Sequence, residues 1–291
     1  MNARTQPASE VPLSFDCQQD GGPVQLIGIL CLPQTPAPRG VLIVTGGPQY
    51  RAGSHRQFVL LSRALAAHGV PVLRFDYRGM GDSEGAVRDY RAISADIDAA
   101  LAQFFASVPL LREVVLWGLC DGATASACHT SRDARISGLV LLNPWVRSSA
   151  GLARATLHHY YLPRLLQGSF WRKFARCELE LKASLAGIRH SASHLVSSSD
   201  ITGRGDGENT PAEQIYPTLH GYKGRVLLIL SGKDLVAREW QMLVSSSKRW
   251  RSLIEREKWQ QIFIEDANHT FASAAWREQV ELRCLEWLYS W

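Results

Sequence analysis

The chain of 291 residues holds six cysteines, Cys17, Cys31, Cys120, Cys128, Cys177 and Cys284, and none forms a C-x-x-C pair or a zinc-ligand spacing. That excludes a zinc-finger module, and the wide separation predicts free thiols in a reducing compartment. Long apolar runs are missing too. No uncharged stretch approaches the ~20 residues that span a bilayer, and the first ten residues have no apolar segment of the secretory kind. A cytoplasmic location without a membrane span is therefore expected. The net charge is +5, but its Lys and Arg residues are scattered, with no basic stripe interleaved with aromatics. No nucleic-acid partner is expected; an anionic or carrier-linked small molecule fits the mild basic surplus.

What is present is the composition of an ordinary globular enzyme. Hydrophobic residues make up 46% and charged residues 20%, which rules out a disordered chain. A core of this size needs no metal or disulfide staple, and neither a cofactor nor a metal is expected.

Short β-branched runs alternate with helical stretches. Strands are predicted at Val24–Leu32, Val41–Val44, Pro71–Phe75, Glu113–Leu116, Gly138–Leu142, Arg225–Leu230 and Gln261–Ile264. The middle ones are apolar almost throughout, as parallel strands covered on both faces must be. Helices are predicted at Arg56–His68, Ala92–Phe105, Ala123–Ser131, Glu239–Leu243 and Ala274–Tyr289. The order implies an α/β fold with an open, mostly parallel sheet flanked by helices, its first strand antiparallel at one edge. Residues 145–220 break the rhythm with aromatic and Arg-rich helical patches and a polar loop. They read as a helical cap inserted in a core of residues 1–144 and 221–291.

The chemistry concentrates in Val114-Val115-Leu116-Trp117-Gly118-Leu119-Cys120-Asp121-Gly122-Ala123. A strand, then G-x-C-x-G, then a helix of small residues is the pattern of a nucleophile elbow, where a strained turn exposes one side chain. The glycines let backbone pass closely, and a helix N-terminus favours a thiolate at Cys120. Such a nucleophile needs an acid and a histidine further along. Asp234 follows the predicted strand Arg225–Leu230, and His269 follows the next one, both at the carboxyl edge of the sheet. The oxyanion donors are assigned to the amides of Asp121 and Gly47, with Gln49 as a weaker candidate. Gln49, Arg51, His55, Tyr160 and Tyr161 are expected to line the substrate pocket, and His55 is the rival base. The glycine-rich Arg74–Gly85 lacks a phosphate-loop ending, so it reads as a structural loop in which Asp76 and Arg78 bond backbone.

These residues together resemble the α/β-hydrolase superfamily along essentially the whole chain, and Phe75–Ser83 is similar to its serine aminopeptidase-like and acylglycerol lipase-like branches. More narrowly, Gly46–Phe58 and Gly118–Ala123, with His158–Tyr161 and Phe170–Lys173, look like the exosortase A system-associated hydrolase 1 family. That resemblance implies a hydrolase-type enzyme associated with exopolysaccharide gene clusters and no defined substrate. The departure from the wider superfamily is cysteine in place of serine. An esterase or thioesterase with an acyl-cysteine intermediate is expected. An acyltransferase passing the acyl group from Cys120 to an alcohol or amine is the second reading, and a non-catalytic binding protein the third.

Overall fold

The structure is a computed structural model that describes residues 6–19, 22–47, 49–146 and 210–291. The chain divides into two compact units, one of residues 1–146 and 211–291 and one of residues 147–210. The cap residues Tyr160 and Tyr161 lie outside the described residues.

The first unit is built on one eight-stranded sheet. Its strands are β1 (Ala8–Cys17), β2 (Val24–Pro33), β3 (Arg39–Val44), β4 (Val72–Phe75), β5 (Glu113–Leu119), β6 (Ile136–Leu142), β7 (Arg225–Ser231) and β8 (Trp259–Ile264). They lie in the order β1-β2-β4-β3-β5-β6-β7-β8. β1 with β2 and β2 with β4 are antiparallel; the remaining pairs are parallel. The expectation of an antiparallel edge strand needs one correction. Val24–Pro33 is antiparallel but sits second, because Ala8–Cys17 pairs along its outer side. Pro12 hides that outer strand in the sequence, yet Val11, Leu13, Phe15 and Cys17 alternate with period two and turn one face to the core.

The helices are α1 (Gln57–Ala67), α2 (Ser94–Ser107), α3 (Asp121–His129), α4 (Pro211–Gly221), α5 (Leu235–Ser246), α6 (Lys248–Ile254) and α7 (Ala274–Leu288). α4 belongs to the sheet-bearing unit, so the division falls at 146 and 211 rather than at 144 and 221. Ile215 and Leu219 of α4 are fully buried in the cluster that holds Leu116, Leu139 and Leu228. Val115, Trp117, Val140 and Leu227 on the opposite face pack with Phe58 of α1 and Trp287 of α7. Burial on both faces explains why β5, β6 and β7 read as continuous apolar runs. Each such side chain contributes about 1.5–3 kcal/mol.

The chain winds outward from β3 in both directions, with β4 on one side and β5 on the other. The carboxyl ends of β3 and β5 therefore border the switch point, where open α/β sheets form their crevice.

Candidate active site

Cys120 stands between β5 and α3 with φ 58° and ψ −123°. A non-glycine residue in that region is strained, and it stays there only because the surroundings over-determine it. The Cys120 amide donates to the Leu142 carbonyl at 2.9 Å, and its carbonyl accepts the amides of Ala123 at 3.1 Å and Trp145 at 3.2 Å. Space matters as much as bonding. A Cβ on Gly118 would strike the Gly122 backbone, and one on Gly122 would lie 2.5 Å from the Val44 carbonyl oxygen. Glycine at both positions lets α3 approach β3 and β5 closely enough to hold the turn. The thiol, half-buried, stands at the first turn of α3.

Asp234 ends the loop after β7 and is the N-cap of α5, accepting the amides of Val236 at 3.2 Å and Ala237 at 3.3 Å. Its Oδ2 also meets Nδ1 of His269 at 2.8 Å. The Cys120 thiol bears on the imidazole as well. The hydrogen bond to Asp234 and then the neighbouring Cys120 sulfur push the His269 pKa up to about 10, against the opposing effect of burial. Of the three residues singled out from the sequence, Asp234 and His269 meet directly, and the Cys120 sulfur bears on the same imidazole. His55 instead lies exposed in the turn before α1, itself at positive φ. His269, not His55, is the histidine on which Cys120 bears.

One contributor was not legible in the sequence. Asn143, fully buried just after β6, accepts the Ser231 amide at 2.9 Å through Oδ1. Its Nδ2 donates to Ser231 Oγ at 2.8 Å and to the His269 carbonyl at 3.2 Å. Asn143 therefore ties the ends of β6 and β7 to the loop that carries the imidazole. Its cue is a polar residue directly following the apolar run Leu139–Leu142, at the same sheet edge as Cys120.

Other expected pocket residues make contacts within the fold. The Arg51 guanidinium bonds Asp76, which is fully buried, and Asp82 at 2.5 Å, while the Arg51 amide donates to Asp76 Oδ1 at 2.5 Å. Arg51 thus joins the loop after β3 to the loop after β4. Asp76 takes the Asp82 amide as well. Arg78 donates to the Ala92 carbonyl and grips Asp96 with two nitrogens, so the Arg74–Gly85 segment is the structural loop expected. Gln49 has a buried amide oxygen without a hydrogen-bond partner among the described residues, which leaves it free to accept a donor. The Gly47 amide donates to Oδ2 of Asp121 at 2.8 Å, so the loop after β3 and the start of α3 meet beside the thiol.

Among the described residues no group of His, Cys, Asp and Glu side chains is arranged to hold a metal, and no helix is long and apolar enough to cross a membrane.

Residues 41–282 match the model of the alpha/beta hydrolase family. The chain belongs to that family. A polyketide transferase, grgF of Penicillium sp., is 30% identical over 99 residues, spanning 32% of this chain and 33% of that protein. The match therefore covers about a third of the curated relative's length. Among solved structures, the Pyrococcus furiosus esterase Pf2001 superposes with a TM-score of 0.65 at 19% identity, covering 98% of this chain and 92% of that one. The alpha/beta hydrolase GrgF from Penicillium sp. sh18 superposes with a TM-score of 0.59 at 16% identity, covering 97% and 98%. At those identities the likeness is one of fold.

Proposed function

We propose that the chain is an acyl-transferring enzyme of the hydrolase type, acting on esters or thioesters through a covalent acyl-Cys120 intermediate. The observation that carries the reading is the Asp234–His269 hydrogen bond, with the Cys120 sulfur bearing on that imidazole from a strained elbow at the switch point of the sheet. His269, held in one orientation by Asp234, takes the proton of Cys120 as the sulfur adds to the acyl carbonyl carbon. The tetrahedral oxyanion is received by the Gly47 and Asp121 amides. When the intermediate collapses, the carbon–oxygen or carbon–sulfur bond to the leaving group breaks, and His269 returns the proton to the departing alcohol or thiol. Water then attacks the thioester, gives a proton to His269, and the acid leaves with Cys120 regenerated.

The same reading gives the remaining residues their places. Residues 147–210, Tyr160 and Tyr161 among them, are proposed as a cap for an acyl chain, and Gln49 is proposed to offer its unpaired oxygen to a polar substrate group.

A second reading is acyl transfer to an alcohol or amine instead of water. It is favoured by the sequence match to a protein named as a polyketide transferase, and by the readiness of thioesters to exchange acyl groups with nucleophiles other than water.

The test is turnover of a panel of acyl esters and thioesters by the parent, Cys120→Ala and Cys120→Ser proteins. Loss of turnover with an unchanged melting temperature in Cys120→Ala is expected. Undiminished hydrolysis in that variant would remove the mechanism. Product appearing only when an alcohol or amine is added would decide for transfer.

A further inference from the structure

Asp121, the residue after the nucleophile, turns its carboxylate back over the very amides that an acyl oxyanion needs. Oδ2 accepts the Gly47 amide at 2.8 Å and Oδ1 accepts the Gly122 amide at 3.1 Å. The amide of Asp121 itself bears on the same carboxylate. Two separate elements supply these donors, the loop after β3 and the first turn of α3, so the arrangement is more than a helix cap. The neighbouring wall is closed: a Cβ on Gly46 would run into Oδ1 of Asp121 and the Gly122 nitrogen. Tyr77 steadies the same residue by donating its hydroxyl to the Gly47 carbonyl at 3.2 Å.

We propose that the Asp121 side chain is an internal, displaceable ligand of the oxyanion donors, which the substrate carbonyl has to replace before Cys120 can be acylated. The inference rests on the acyl chemistry proposed above and adds a positioning residue to it. A carboxylate is a full anion and a substrate carbonyl only a dipole, so the resting hydrogen bonds favour Asp121. As the tetrahedral oxygen gains charge, two anions within hydrogen-bond reach of the same amides repel. Acylation therefore requires Asp121 to swing away or to bind a proton. Attack of the thiolate on an sp3 carbon builds no oxyanion and carries no such requirement.

That contrast is the test. Cys120 is acylated with a short acyl thioester and, in parallel, alkylated with iodoacetamide, in the parent, Asp121→Ala and Asp121→Asn proteins. The ratio of the two rates cancels changes in thiolate content. The ratio is expected to rise about tenfold in Asp121→Ala, the factor that one competing charged hydrogen bond is worth, and less in Asp121→Asn, whose amide oxygen still accepts. An unchanged or lower ratio in variants that melt near the parent temperature would overturn the proposal. The Gly47 amide proton resonance separates this from the acyl reading: it should move upfield in Asp121→Asn even if no thioester acylates Cys120. A Gly47 resonance indifferent to that substitution would overturn the internal ligand on its own.

Discussion

Asp234 serves two partners at once, and replacing it by Asn or by Ala pulls the two apart. Its carboxylate caps α5 through Val236 and Ala237 and holds Nδ1 of His269 at 2.8 Å. Asparagine is about as good an N-cap as aspartate, so Asp234→Asn keeps the cap, whereas Asp234→Ala loses about 1 kcal/mol of it. In a chain of this size that is a fall of about 2 °C in melting temperature. The imidazole responds differently. In either variant the first cause of its raised pKa is gone, and Asn also offers a donor where the ring N–H needs an acceptor. Acylation of Cys120 should fall by about 10^3–10^4-fold in both, the scale of losing the orienting acid of such a triad. Stability against pH carries the same information. Because the folded-state pKa is raised from 6.5 to about 10, the contribution of His269 is complete below pH ~6.5 and lost as pH rises through about 10. That slope should flatten in Asp234→Asn. The assays are thermal melts from pH 6 to 10.5 and stopped-flow acylation by a chromogenic ester. If Asp234→Asn acylates at the parent rate while Asp234→Ala loses only stability, Asp234 is a helix cap alone and the reasoning fails.

Two further outcomes follow from the surroundings of the site. Arg51→Ala leaves Asp76 buried and charged without its guanidinium, and should cost about 3 kcal/mol or more in denaturant unfolding; unchanged stability with a raised KM would return Arg51 to the substrate. Asn143→Ala removes the bonds to Ser231 and the His269 carbonyl, and should cost about 1–3 kcal/mol while slowing acylation. A conservative Asn143→Asp should restore less of the rate than of the stability, because it keeps the acceptor for the Ser231 amide but loses the donor to the His269 carbonyl.

Much of this architecture is written locally. The runs that became β3, β5, β6 and β7 are apolar because both faces are covered, and the glycines around Cys120 are there because α3 has no room for a Cβ. Asp234 and His269 were legible from their places after two strands. What escaped depends on distant partners. The outer strand Ala8–Cys17 exists because β2 offers it an edge, and its proline masked the alternation. Pro211–Gly221 looked like part of the insertion because nothing local says that Ile215 and Leu219 face the sheet. Nothing local to Arg51 shows that it bonds buried Asp76, 25 positions away. That the Gly47 amide donates to Asp121 is not legible, because no sequence pattern shows which way the Asp121 carboxylate turns.

The account stands or falls on whether Cys120 carries the acyl group. Intact-mass spectrometry with peptide mapping, after millisecond quenching of the protein with a panel of acyl thioesters, measures this directly. The prediction is one added acyl mass on the peptide containing Cys120, absent in Cys120→Ala and slower to form in Asp234→Asn. Turnover without any such adduct, or an adduct on another cysteine with Cys120 unmodified, would contradict it.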